Sequence, residues 1–85
     1  MSNAKNIEAK IARAGFAQVA QDVWVRGAAR IEVLCNPPMD GMREVVGMNV
    51  CRTSEQADLM TDYFPGAWFK SATKALAHAA WINGN

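Results

Sequence analysis

The chain is poor in the residues that perform chemistry. Among 85 residues there are one histidine and two cysteines, and nine Lys and Arg stand against eight Asp and Glu, a formal net charge of +1. Cys35, Cys51 and His78 lack the close-spaced ligand pairs of a zinc site. His78 has no acid placed locally to orient its ring, so a nucleophile–base arrangement has no signature here. The six glycines are scattered and form no loop able to cradle a phosphate. Glu55, Asp58 and Asp62 cluster, but the alternating oxygen ligands and central glycine of a calcium loop are missing, and a solvated polar loop is expected. No charge excess steers the chain to nucleic acid, whose sequence-independent binders depend on clustered Lys and Arg. The longest strongly apolar stretch, near Ala75–Ile82, falls short of the ~20 residues of a membrane span. Met1-Ser2-Asn3-Ala4-Lys5 leads into a charged, helix-like segment and not a signal sequence. The expectations are therefore no catalysis, no metal, no cofactor, no membrane partner and a cytoplasmic location.

What is present is enough apolar matter for one core. Hydrophobic residues make up 51% of the chain, too many for disorder at this low net charge. A chain of this size buries about 60–65% of its unfolded surface, so residues 1–85 are expected to form a single domain without an interdomain cleft. Cys35 and Cys51 fall in separate β-like runs. In a hairpin turned at Pro37–Met42, Cys35 faces Val45 or Val46, and Cys51 lies beyond the ~7 Å Cα separation of a disulfide. Reduced thiols are expected.

The local pattern orders the elements. Ala4, Ile7, Ile11 and Ala14 recur at helical spacing, and Gly15 stands where a left-handed C′ residue ends a helix. Asp22–Arg26 and Ala29–Asn36 are β-like and are separated by a Gly27-Ala28 turn. Pro37-Pro38-Met39-Asp40-Gly41 breaks the chain, and Arg43–Arg52 is a third strand in which Gly47 marks a close approach or a bulge. Ser71 caps a last helix, Ala72 to Ile82, with an alanine-rich inner face. The expected fold is α+β: an αβββα chain with a three-stranded antiparallel meander, room for a fourth short strand near Leu59–Phe64, and both helices on one sheet face.

Strand alternation then assigns faces. Ile31, Val33, Cys35, Val46, Met48 and Val50 go to the core. Trp24, Arg26, Arg30, Glu32, Leu34, Val45, Asn49 and Cys51 go to the outer face. That outer face carries Trp24, Leu34 and Val45, and contiguous exposed apolar residues mark interfaces. A protein partner or a second copy of the chain is expected there, on Trp24, Arg26, Arg30, Glu32, Leu34 and Val45. A second candidate surface is the outer side of the last helix, Lys70, Lys74, His78 and Trp81, where cations and rings together can hold phosphates and stack on bases.

Two resemblances bear on function. The αβββα order, with the segment Gly66-Ala67-Trp68-Phe69-Lys70-Ser71-Ala72-Thr73-Lys74-Ala75-Leu76-Ala77-His78-Ala79-Ala80, resembles the double-stranded-RNA-binding domain, whose last helix opens with lysines and is rich in alanine. The resemblance implies phosphate contacts at Lys70 and Lys74. The turn Arg26-Gly27-Ala28-Ala29-Arg30 lacks that family's Gly-Pro-x-His loop. Thr61-Asp62-Tyr63-Phe64-Pro65-Gly66-Ala67-Trp68-Phe69 followed by an alanine helix looks like small accessory proteins of phages and plasmids, some of which, such as anti-CRISPR proteins, block a host defence complex by occupying a surface. The leading expectation is a non-catalytic protein-binding module, in its narrow form an inhibitor of a host nucleic-acid-handling complex. The alternative is an RNA- or DNA-binding module.

Overall fold

Left-handed residues decide where this chain doubles back. The computed structural model of the protein describes residues 4–36, 44–54 and 66–84. Helix α1 is Ala4–Arg13. It ends at Gly15, whose N–H donates to the Ala12 carbonyl at 3.0 Å and whose φ of +95° turns the chain out of the helix. The apolar positions Ala4 and Ile11 are buried on one side of α1, as the spacing requires.

Five strands follow the helix: β1 (Ala17–Ala20), β2 (Val23–Arg26), β3 (Ala29–Cys35), β4 (Val45–Arg52) and β5 (Ala67–Phe69), before α2 (Ala72–Ile82). They form one antiparallel sheet in the order β1-β2-β3-β4-β5. The α+β class holds, but the sheet is wider than the three strands expected. β1 and β5 were not anticipated, because four and three residues are too few to establish a period. The fourth strand expected near Leu59–Phe64 lies outside the described residues.

Two short turns set the register of the first three strands. Ala20 pairs with Val23 across Gln21 and Asp22, and Asp22 takes the left-handed conformation at φ +62°, which aspartate tolerates better than most residues. Arg26 pairs with Ala29 across Gly27 and Ala28. Gly27 is at φ +58°, as the first central position of a tight hairpin of this kind requires.

The helices cover one sheet face. α2 lies against β3, β4 and β5, with α1 beside it. Ala72, Ala75 and Ala79 of α2 join Trp24, Ala29, Ile31, Val33, Val45, Met48 and Val50 in a single core cluster with Ala4, Ile11 and Phe16. Alanine on the inner stripe lets the helix axis come close to the sheet, and each larger side chain is taken up by a neighbour on the strands.

Both ends of α2 are tied down. At its N-terminus the Ser71 side chain accepts from the Lys74 N–H, and Lys10 of α1 donates to the Thr73 hydroxyl. At its C-terminus Asn83 bridges back to the β2–β3 turn: its Oδ1 accepts from the Ala28 N–H at 2.8 Å and its Nδ2 donates to the Arg26 carbonyl at 3.1 Å. A Cβ on Gly27 would meet the Asn83 side chain, so the turn glycine serves both the hairpin and this bridge.

The bridge is separable from the rest of the core. Asn83→Ala is expected to cost about 1 kcal/mol, given two exposed hydrogen bonds, and roughly 4–8 °C in Tm for a domain of this size. Asn83→Asp, which keeps the acceptor and removes the donor, should fall between the two in a thermal melt.

Candidate binding face

The face opposite the helices is built in rows, because residues paired across antiparallel strands share a face. One row is Val25, Arg30 and Cys51; the next is Val23, Glu32, Asn49 and Trp68; a third begins with Leu34 and Gly47. Arg30, Glu32 and Leu34 are therefore on the outer face, as expected, together with Asn49 and Cys51.

Three of the expected interface residues are elsewhere. Trp24 pairs with Ile31, sits on the helix side and is 7% exposed within the core. The reason is the two-residue turn: pairing Arg26 with Ala29 forces Trp24 onto the face of Ile31. Arg26 belongs to the same side, where its guanidinium lies over Gly15 at the end of α1, a favourable place for a cation. Val45 is buried in the core, and Val46, expected inside, is 40% exposed. Between the pairs Leu34–Gly47 and Cys35–Val45 the register slips. Val46 is the extra residue of a bulge, and everything before it changes face. Val19 is the extra residue of a second bulge in β1 and is likewise exposed.

Among the described residues the aromatic of the outer face is Trp68 on β5. It is 48% exposed and lies over Gly47, where a Cβ would overlap the indole ring. Gly66, at φ +91°, packs against the Val50 carbonyl and Cys51 in a space that also has no room for a Cβ. Gly47 thus seats the tryptophan, and Gly66 brings the start of β5 close against β4. Between Leu34, Asn49, Gly66 and Trp68 is a pocket of about 370 Å³.

The polar groups here are largely matched within the face. Arg30 Nε is 3.6 Å from Glu32 Oε1, and the Cys51 thiol donates to the same carboxylate oxygen at 3.9 Å. Arg30 Nε, at ion-pair distance only, has no hydrogen-bond partner, and Asn49 is a second exception. It is 3% exposed and its Nδ2 has no hydrogen-bond partner. An orphaned buried donor costs about 1–3 kcal/mol. The indole N–H of Trp24 is also without a hydrogen-bond partner, but it lies within the core.

The second candidate surface is partly assembled. His78 stands between Phe69, with ring centroids 5.4 Å apart, and Trp81, at 5.5 Å with the rings stacked. Trp81 is 64% exposed. Lys70 and Lys74 are exposed at the start of α2. Among the described residues no group of three or more His, Cys, Asp or Glu could hold a metal ion. Among them, too, no helix is long and apolar enough to cross a membrane. Cys35 and Cys51 are both thiols outside any disulfide.

The chain matches no known family model, no curated protein and no solved structure among those compared with it.

Two outcomes follow from this geometry. Gly47→Ala should cost about 1–3 kcal/mol by overpacking, and most of that cost should vanish in a Trp68→Ala background, a coupling that a double-mutant cycle in denaturant measures. A thiol reagent should label half-buried Cys35 well before Cys51, which is 1% exposed; mass spectrometry of the partly labelled chain reads the order.

Proposed function

We propose that the protein is a non-catalytic binding module whose outer sheet face takes a protein partner. The observation that carries this reading is Trp68, an indole held half-exposed on a glycine seat beside a pocket on the sheet face that the helices leave uncovered. Tryptophan and arginine are the residue types that most often dominate interface energies. Here Trp68 takes the anchoring part expected of Trp24, with Leu34 beside it and the Arg30–Glu32 pair fixing orientation. In its narrow form the partner is a host nucleic-acid-handling complex and the bound protein inhibits it; a second copy of the chain is the other occupant of the same face.

A second reading, nucleic-acid binding through Lys70, Lys74, His78 and Trp81, is favoured by the Phe69–His78–Trp81 stack, which ends in an exposed ring. The two readings separate in one affinity capture from lysate, run with and without nuclease. A stoichiometric protein that survives nuclease and is lost with Trp68→Ala supports the first. Capture that disappears with nuclease, persists in Trp68→Ala and is lost with Lys70→Ala and Lys74→Ala together overturns it in favour of the second. Trp24→Ala is unsuited to this test, because emptying that core position costs about 3–5 kcal/mol.

A further inference from the structure

Asn83 is followed by Gly84, the one Asn-Gly step in the sequence. That pairing has a chemistry of its own. The main-chain nitrogen of the second residue can attack the side-chain amide of the first. Glycine has no side chain to obstruct the attack and leaves the backbone free to turn for it. Gly84 is exposed, and a Cβ built on it would have nothing within 4 Å.

The fold holds this step unreactive in three ways. Both polar atoms of the Asn83 amide are engaged, Oδ1 with the Ala28 N–H at 2.8 Å and Nδ2 with the Arg26 carbonyl at 3.1 Å. The Gly84 N–H donates to the Trp81 carbonyl at 3.0 Å. The ψ angle of Asn83 is 2°, which eclipses the Gly84 nitrogen with the main-chain nitrogen of Asn83. Closing a five-membered ring needs it eclipsed with Cβ instead. The required rotation about Cα–C carries the Gly84 N–H away from Trp81, and the side chain must leave the β2–β3 turn.

We propose that Asn83-Gly84 is a site of spontaneous deamidation gated by the bridge between α2 and the β2–β3 turn. It reacts in molecules whose bridge has opened, and it leaves a chain that cannot reclose the bridge as before. The Gly84 nitrogen loses its proton and bonds to Asn83 Cγ. The Cγ–Nδ2 bond breaks, and Nδ2 departs as ammonia with that proton. Water then adds to one of the two carbonyls of the cyclic imide. Cleavage at Cγ gives aspartate; cleavage at the main-chain carbonyl gives isoaspartate, in which the chain runs on through Cγ. Both products lack Nδ2 and with it the bond to the Arg26 carbonyl. Both also add a carboxylate, which cancels the formal net charge of +1. The proposal is independent of the binding-module reading, since Asn83 takes no part in the outer sheet face.

The test incubates the full chain at neutral pH, folded and in denaturant. Intact mass follows the loss of the amide, and peptide mapping separates aspartate from isoaspartate at position 83. The folded chain is expected to react slower by roughly tenfold or more, the population factor that two hydrogen bonds supply. Gly27→Ala places a Cβ 2.6 Å from Asn83 Oδ1. It should displace that side chain and raise the folded-state rate toward that of the denatured chain. Ala28→Pro, which removes the N–H that donates to Oδ1, serves if Gly27→Ala does not fold. In denaturant both variants should react at the parent's rate, since neither alters the reacting residues. The separated aspartate product should melt with Asn83→Asp, and the isoaspartate product below it. The proposal is overturned if folded and denatured chains react at the same rate, if a folded bridge variant reacts no faster than the parent, or if the products melt with the parent.

Discussion

Strand β4 is buried on both of its faces, and the other elements are arranged to satisfy it. Met48 and Val50 point to the helices and are fully enclosed, while Asn49 and Cys51 point the other way and are buried as well. In an antiparallel sheet with helices on one side, the far side is ordinarily polar and wet. Here the outer side of β4 is closed in part by Trp68, reaching across from β5 over Gly47. The alanine stripe of α2 answers the inner side. Neither arrangement is available without the small residues concerned: a larger group at Ala75 or Ala79 lifts the helix, and one at Gly47 lifts the indole.

Much of this was legible in the sequence, and what was misread has a specific cause. Both helices, with the Gly15 stop and the Ser71 cap, follow from spacing and end residues. The β2, β3 and β4 runs follow from alternation. The faces were assigned strand by strand from which residues looked apolar, and this failed at Trp24. The turn held the missing information. A two-residue Gly27-Ala28 connection pairs Arg26 with Ala29, and two steps along it sets Trp24 opposite Ile31, so the two must share a face. At Val45 the signal was Gly47, read as a close approach or a bulge, but strict alternation was carried past it, and the register slips just beyond that glycine. β5 was hidden for a different reason. Three residues have no period, and Trp68 reads only as a residue ahead of the last helix until Gly47 is recognised as its seat.

The two sides of the sheet carry polar atoms in different ways. On the outer face the polar groups meet between adjacent rows, Arg30 with Glu32 and the Cys51 thiol with the same carboxylate, which leaves the face with little net charge. A surface of that kind gains little from long-range attraction and discriminates by fit. The aromatic stack on α2 is of the opposite type, an exposed ring at the end of a ladder with lysines nearby and no enclosing walls. The outer face thus has a concave space between Leu34, Asn49, Gly66 and Trp68, whereas the helix side ends in an exposed ring.

The bulge at Val46 bears on how this fold tolerates changes in chain length. Remove that residue on paper and β4 becomes a strand of strict alternation, with Gly47 outside and Val45 inside, as they already are. The extra residue is thus absorbed where it stands and does not propagate a phase error along the strand. A residue inserted between Met48 and Cys51 would instead meet paired strands on both sides, β3 and β5, and would need a bulge of its own to keep Met48 and Val50 inside.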